Sequence, residues 1–403
     1  VTNLVSTAAA AVDVPGAADW SRVRISEVAE QVNDRVDDPS AAGVERYVGL
    51  EHLDPERLAI KRWGSPADVQ STKLRFQVGD VIFGKRRAYQ RKLAQADFPG
   101  ICSAHAMVLR ARPEVVAPEF LPFLLQTESF FNRAVAISVG SLSPTINWRT
   151  LAREELWIPP LEVQRRLAAL LWAGEEVSER WEGAASAADL AADAWASQRI
   201  EALAANGTVP LSTVSQVRTG VAKGRKLGDA DSVELPYLRV ANVQAGHLDL
   251  SEMKTIRVRR EEVDRYRVRS GDVLLTEGGD FDKLGRGTVW RGEIPDCLHQ
   301  NHIFAVRPEA AKLVPEFLEL VASSAYGRAY FLRCAKQTTN LASINSSQLK
   351  ALPVPTVEVA TQEELAITFR DIRGLAADAR RQALRAREIK RNLLRELVEH
   401  HVH

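Results

Sequence analysis

Residues 61–92 carry nine basic side chains, Lys61, Arg62, Lys73, Arg75, Lys85, Arg86, Arg87, Arg91 and Lys92. Only Asp68 and Asp80 oppose them, a local net charge of +7 in a chain whose total is +1. The densest part is FGKRRAYQRK (83–92), where Tyr89 and Gln90 interleave with Lys85, Arg86, Arg87, Arg91 and Lys92. Cationic side chains hold phosphates, and an amide and a ring on the same loop can address base edges and faces. A second acid-free run, VRTGVAKGRK (217–226), offers Arg218, Lys223, Arg225 and Lys226, with glycines that let the backbone approach a phosphate chain. A third, TEGGDFDKLGRG (276–287), holds Lys283 and Arg286 among acids. One such run reads as a solvated surface; two in related positions point to DNA.

Other chemistries lack their residues. No G-x-x-x-x-G-K-[ST] loop exists for a nucleotide-driven motor, and Gly285-x-Gly287 lacks the third glycine of a dinucleotide fingerprint. There is no Asn-Pro-Pro-aromatic or Asp-Pro-Pro-Tyr stretch to hold a base amino group for methyl transfer, no H-x-E…C-x-x-C and no serine triad signature. Asp272, Glu277 and Lys283 could form a nuclease site, but Gly-Asp-Val reads as a turn into a strand. His105 and His302 follow Cys102 and Cys297 at unequal spacings of three and five, which favours a packed core pair over ligands. No metal site is expected. Cys102, Cys297 and Cys334 form no C-x-x-C and suit a reducing cytoplasm. No apolar run approaches the roughly 20 residues of a membrane span. Residues 1–20 lack signal-peptide features and read as a flexible tail, and His-His-Val-His at the other end as a disordered terminus.

The elements that would position the basic loops occur twice. Tyr47 matches Tyr237 at an offset of 190, Gly-Asp-Val (79–81) matches 271–273 at 192, and Cys102 matches Cys297 at 195. Arg-Pro-Glu (112–114) matches 307–309 at 195, Pro-Glu-Phe-Leu (118–121) matches 315–318 at 197, and Ile146-Asn147 matches Ile344-Asn345 at 198. The order never changes, so the chain holds two copies of one α/β (α+β) unit, a pseudo-twofold internal repeat. Each copy has strands after its Gly-Asp turn (DVIF, DVLL) and an amphipathic helix opened by the proline of PEFL. Each copy ends in an Asn or Ser cap, a short helix, a proline stop and a long rod.

The first rod shows a 4,3 rhythm through Val163, Leu167, Leu170, Gly174, Val177, Trp181, Ala184, Ala188, Ala191, Trp195, Gln198 and Ala202. The second has Leu365, Phe369, Ile372, Ala376, Ala379, Ala383, Ala386, Lys390, Leu393 and Leu397. Neither is interrupted by proline, which predicts long helices of about 60 Å that pair. Residues 160–205 carry eight acids and four bases, and 361–399 nine bases and seven acids, a bias that favours pairing with each other. The expected packing residues are Leu167, Leu170, Val177, Trp181 and Trp195 against Leu365, Phe369, Ile372, Leu393 and Leu397. The alternative is that each helix covers its own globular unit.

The doubled order of these motifs resembles the specificity subunit of type I restriction-modification enzymes, over nearly all of the chain from residue 21. PYLRVANVQAGHLDLSEMK (236–254), which contains Asn242, and FGKRRAYQRKLAQADFPGICS (83–103) look like segments of that family's target-recognition domains. The resemblance implies domain 1 at 21–160, spacer helix 1 at 161–205, domain 2 at 206–356 and spacer helix 2 at 357–403. It implies a non-catalytic cytoplasmic reader of double-stranded DNA, one half-site per domain, with antiparallel helices that space the halves. Two adenine-N6 methyltransferase subunits would dock on the helices and translocating endonuclease subunits would join. S-adenosylmethionine, ATP and magnesium belong to those partners. The DNA-contact candidates are Lys85, Arg86, Arg87, Tyr89, Gln90, Arg91, Lys92, Arg218, Lys223, Arg225, Lys226, Asn242, Lys283 and Arg286. A stand-alone sequence-specific DNA-binding protein and a coiled-coil assembly scaffold are the rival readings.

Overall fold

The computed structural model describes residues 19–224, 228, 231–279, 284–337 and 342–399. The chain divides into two compact units. Unit 1 runs to Glu182 and resumes at Arg380; unit 2 is Gly183–Ala379.

In unit 1 an antiparallel sheet runs in the order Ala29–Val32, Met107–Ala111, Val81–Phe83, Leu93–Gln95. A second sheet orders Arg35–Val36, Lys73–Phe76, Gly100–Ser103 and Tyr47–Val48, its last pair parallel. Unit 2 repeats the first sheet as Ser215–Thr219, Ile303–Pro308, Val273–Thr276, Gly287–Val289. Its second sheet is Lys254–Arg259, Ser232–Leu238, Leu298–His299. The parallel step recurs, with Tyr47 opposite Ile101 in unit 1 and Tyr237 opposite Leu298 in unit 2.

The Gly-Asp-Val motif has one physical meaning in both units. The Asp80 carboxylate is buried, accepts the Gln77 backbone N–H at 2.8 Å and receives Arg110 through two bonds of 2.7 and 2.9 Å. Asp272 accepts Arg269 N–H at 2.8 Å and two bonds of 2.7 Å from Arg307. A planar guanidinium meets both carboxylate oxygens at once, so each aspartate locks its turn to a neighbouring strand. Cys102 and Cys297 are buried, and burial pushes each thiol up to about 12.

The PEFL segments form two helices each rather than one. Unit 1 has Leu121–Leu124 and then Glu128–Ala136, whose Thr127 cap accepts Phe130 N–H at 3.3 Å. Unit 2 has Pro315–Ser323, then Ala325–Cys334 capped by Ser324. The hydroxyl caps start a new helix where the apolar pattern alone reads as continuous. The proline of PEFL opens the helix only in unit 2, whereas the first turn in unit 1 holds Pro122 instead. Asn147 and Asn345 cap Trp148–Leu151 and Ser346–Lys350 through bonds to Arg149 N–H and Gln348 N–H, each 2.9 Å. A strand unforeseen from sequence follows each: Glu155–Ile158 pairs with Ser21–Arg24, and Pro353–Pro355 pairs with Thr208–Pro210. Trp20, assigned to the tail from sequence, is buried in the unit 1 core; residues 1–18 and 400–403 lie outside the described residues.

The long helices are Leu161–Ala204 and Val359–Leu394. A buried glutamine ties the start of each to its own unit. Gln164 accepts Ala117 N–H at 2.8 Å and donates to the Val115 and Pro159 carbonyls. Gln362 accepts Val314 N–H at 2.9 Å and donates to the Lys312 and Val357 carbonyls.

Within unit 1 the helices run antiparallel, Glu175 meeting Lys390 and Ser178 meeting Ala383 and Arg387. Within unit 2, Trp195 stacks on Phe369 with ring centroids 6.4 Å apart. Leu167, Leu393 and Leu397 are buried in the unit 1 core, with Leu170 half-buried against it. Phe369 is buried in unit 2, with Trp195, Leu365 and Ile372 packed against that core. Val177 and Trp181, expected in the seam, are instead 46% and 42% exposed. The covered face holds Leu171, Glu175, Ser178 and Ala185. Hydrophobicity misplaces the stripe because its middle is polar: Lys390 Nζ lies 2.5 Å from Glu175, both nearly fully buried, and Leu58 N–H donates to the same carboxylate at 3.2 Å. The alternative, that each helix simply covers its own globular unit, is not met, since each unit packs a segment of both helices into its core.

Candidate nucleic-acid interface

The basic loop of unit 1 leaves strand Val81–Phe83 and returns on Leu93–Gln95. Gly84 N–H donates to the Lys92 carbonyl at 2.9 Å and closes it. A side chain at Gly84 would meet that carbonyl oxygen at 3.2 Å, so glycine allows the close approach. Arg87 and Arg91 bracket the turn Ala88–Gln90 with positive φ of 58° and 53°. That left-handed backbone is costly for an arginine and persists only where neighbours hold it. Arg87 N–H donates to the Pro144 carbonyl at 2.7 Å and Arg91 N–H to Ala88 at 2.8 Å.

The five cations then separate by role. Lys92 points inward and donates to the Leu50 carbonyl at 2.6 Å. Arg91 pairs with Glu128 at 2.8 Å and Glu56 at 3.4 Å, and lies over the Phe131 ring. These two brace the loop, with their charged heads on protein partners. Arg87 and Tyr89 are exposed, with Arg86 and Gln90 half-buried beside them. Arg87 reaches Ser143 Oγ at 3.1 Å, and an Arg86 N–H donates to His105 Nε2 at 3.2 Å. His105 is exposed, not core. Its pKa is held below the ordinary histidine value by burial first and then by Arg86, Lys85 and Lys73, which keeps the ring a neutral acceptor at pH 7.

Lys85 lines a cleft of about 540 Å³ with Gln31, Thr145, Asn147, Trp148 and Thr150 among its walls. Burial lowers its pKa. A desolvated ammonium at a polar mouth suits an anionic or carbonyl-bearing group. Gln31, Trp148 and Ser143 were not singled out from sequence, and Asn147 only as part of the repeated exit, because strands and turns distant in the chain bring them here.

In unit 2 the corresponding stretch is Thr276–Gly279. Ile344 N–H donates to the Glu277 carbonyl as Ile146 N–H does to Lys85, so Glu277 stands in the place of Lys85. The charge is inverted: Glu277 pairs with His302 at 2.5 Å, and His302, like His105, is exposed rather than packed in a core. Asp272 is buried under Arg307, so Asp272 and Glu277 do not form a nuclease pair. Arg218 donates to the Asp264 and Arg265 carbonyls at 2.9 Å each and serves the fold. Asn242 is buried too: its side chain accepts Arg239 N–H at 2.8 Å and donates to the Asp249 and Glu252 carbonyls. The polar heads of both are held by the protein itself. Lys223 is exposed and Arg286 half-buried. Arg225, Lys226 and Lys283 lie outside the described residues.

Among the described residues no cluster of metal ligands occurs, and no helix is long and apolar enough to cross a membrane. The fold is therefore that of two like α+β units joined by two long helices. No family model matches the chain. It is similar to the type I restriction enzyme EcoKI specificity subunit of Escherichia coli, 26% identical over 159 residues. That match covers 38% of this chain and 33% of the relative, so it spans about a third of that protein's length. In fold the chain resembles a solved chain of a type I R-M system, with TM-score 0.55, 21% identity, and coverage of 95% of this chain and 97% of that one. It also resembles the type I restriction-modification S subunit of M. genitalium, with TM-score 0.53, 13% identity and coverage of 94% and 96%. The resemblance to type I specificity subunits thus holds in sequence over part of the chain and in fold over nearly all of it.

Proposed function

We propose that the chain is the DNA-reading, non-catalytic subunit of a type I restriction-modification complex. Each unit reads one half of a bipartite target, and the long helices dock two adenine-N6 methyltransferase subunits. Translocating endonuclease subunits complete the assembly, and S-adenosylmethionine, ATP and magnesium are bound by those partners. The observation that carries the reading is the duplicated fold with exposed Arg87 and Tyr89 on a braced basic loop. The sequence likeness to the EcoKI subunit and the fold likeness to S subunits support it.

The test is co-purification with a type I methyltransferase subunit, followed by mapping of modified adenines in DNA exposed to the complex. A split recognition sequence is expected. A stand-alone regulator would bind its site tightly without the partner, and a scaffold would bind no duplex at all.

A further inference from the structure

Beside the basic turn of unit 1 stands a second feature that the reading above does not use. The segment after helix Glu128–Ala136 forms a tight tip, residues 140–144, closed by two bonds of 3.0 Å between the backbones of Val139 and Thr145. Gly140 takes φ +119°, a conformation other residues rarely adopt, which lets the tip reverse. Leu142 at its apex is 89% exposed and Val139 at its base 79%. Isolated exposed apolar residues are common and need no purpose. This pair is different in its mounting. The tip is fastened to the basic loop by Arg87 N–H to the Pro144 carbonyl at 2.7 Å, by Ile146 N–H to the Lys85 carbonyl at 3.0 Å, and by Arg87's side chain on Ser143. The outward Arg87 therefore sits directly beside an apolar point.

We infer that Leu142 is an apolar wedge that enters a groove of duplex DNA while Arg86 and Arg87 hold the adjacent phosphates. The inference rests on the DNA-reading function proposed above and deepens it. A rigid apolar side chain flanked by cations has a matched surface in duplex DNA, whose charged backbones border apolar base faces and thymine methyls. The bracing means the tip need not be ordered on binding, so its contact area converts to affinity with little entropy loss. The counterpart positions 338–341 of unit 2 lie outside the described residues.

The test measures binding of the full-length chain to a random-sequence duplex over a series of salt concentrations. Leu142→Ser is expected to weaken binding about tenfold at every salt concentration, leaving the salt slope and thermal midpoint unchanged, because it removes apolar contact and no charge. Leu142→Met is expected to restore the affinity, and Arg87→Ala to lower the slope by about one. Unchanged affinity in Leu142→Ser, or an equal loss in Leu142→Met, would overturn the wedge. Failure of the unaltered chain to bind duplex at all would instead remove the DNA-reading function.

Discussion

His299 is fully buried, donates from Nδ1 to the Tyr266 carbonyl at 2.8 Å, and has no partner for Nε2 among the described residues. Burial drives its pKa from 6.5 down to about 4. Below pH 6.5 the unfolded chain takes up a proton that the folded chain refuses, so the neutral ring contributes stability that is lost as pH falls toward 4. The full effect is of the order of 3 kcal/mol. His299→Asn is expected to flatten the pH dependence of the unfolding free energy between pH 6.5 and 4; parallel curves for the two proteins would refute this. At this scale the sequence was legible where a residue serves the repeat. Asp80, Asp272, Gln164, Gln362, Asn147 and Asn345 stand out by recurring; the aspartates and glutamines make the same bonds in both units, and both asparagines cap a short helix. It was illegible where a polar residue does its work out of pattern. Nothing in the local sequence of Arg91, Lys92, Arg218 or Asn242 shows that their partners are carbonyls and carboxylates of distant segments.

Among elements, the long helices were the plainest in the sequence, because uninterrupted periodicity survives any local ambiguity. Their seam was only half readable. The second helix keeps its small and apolar positions, Ala376, Ala379, Ala383 and Leu393, on the covered side. The first helix places Glu175 and Ser178 there and turns Trp181 outward, since a buried Lys390 needs a carboxylate opposite it. Lys390→Met should therefore leave Glu175 buried and uncompensated, at a loss of about 3–5 kcal/mol in denaturant unfolding. Adding Glu175→Gln should recover most of that loss, because Leu58 N–H keeps an acceptor. A double variant no more stable than Lys390→Met would show that the pair is not the source of the effect. The split of each PEFL segment was hidden because Thr127 and Ser324 look like ordinary polar positions until the backbone turns at them.

For the whole molecule, duplication was the feature sequence disclosed best, and the exchange of helix segments the one it disclosed least. Within unit 1 Glu175 pairs with Lys390, and within unit 2 Trp195 stacks on Phe369. Residues 181–187 and 378–384 are one heptad of each long helix. Deleting both is expected to shorten the spacer of a bipartite target, read from the positions of modified adenines; an unaltered spacer would dispose of the idea that the helices set it. Unit 1 also draws Leu393, Leu394, Leu397 and Val398 into its core, whereas unit 2 is one continuous stretch. On a ribosome, the half that emerges first therefore cannot close until the last turns of the second long helix arrive, and the half made later is the first able to finish. A chain clipped near residue 380 would carry a completed Gly183–Ala379 and an open, aggregation-prone leading half.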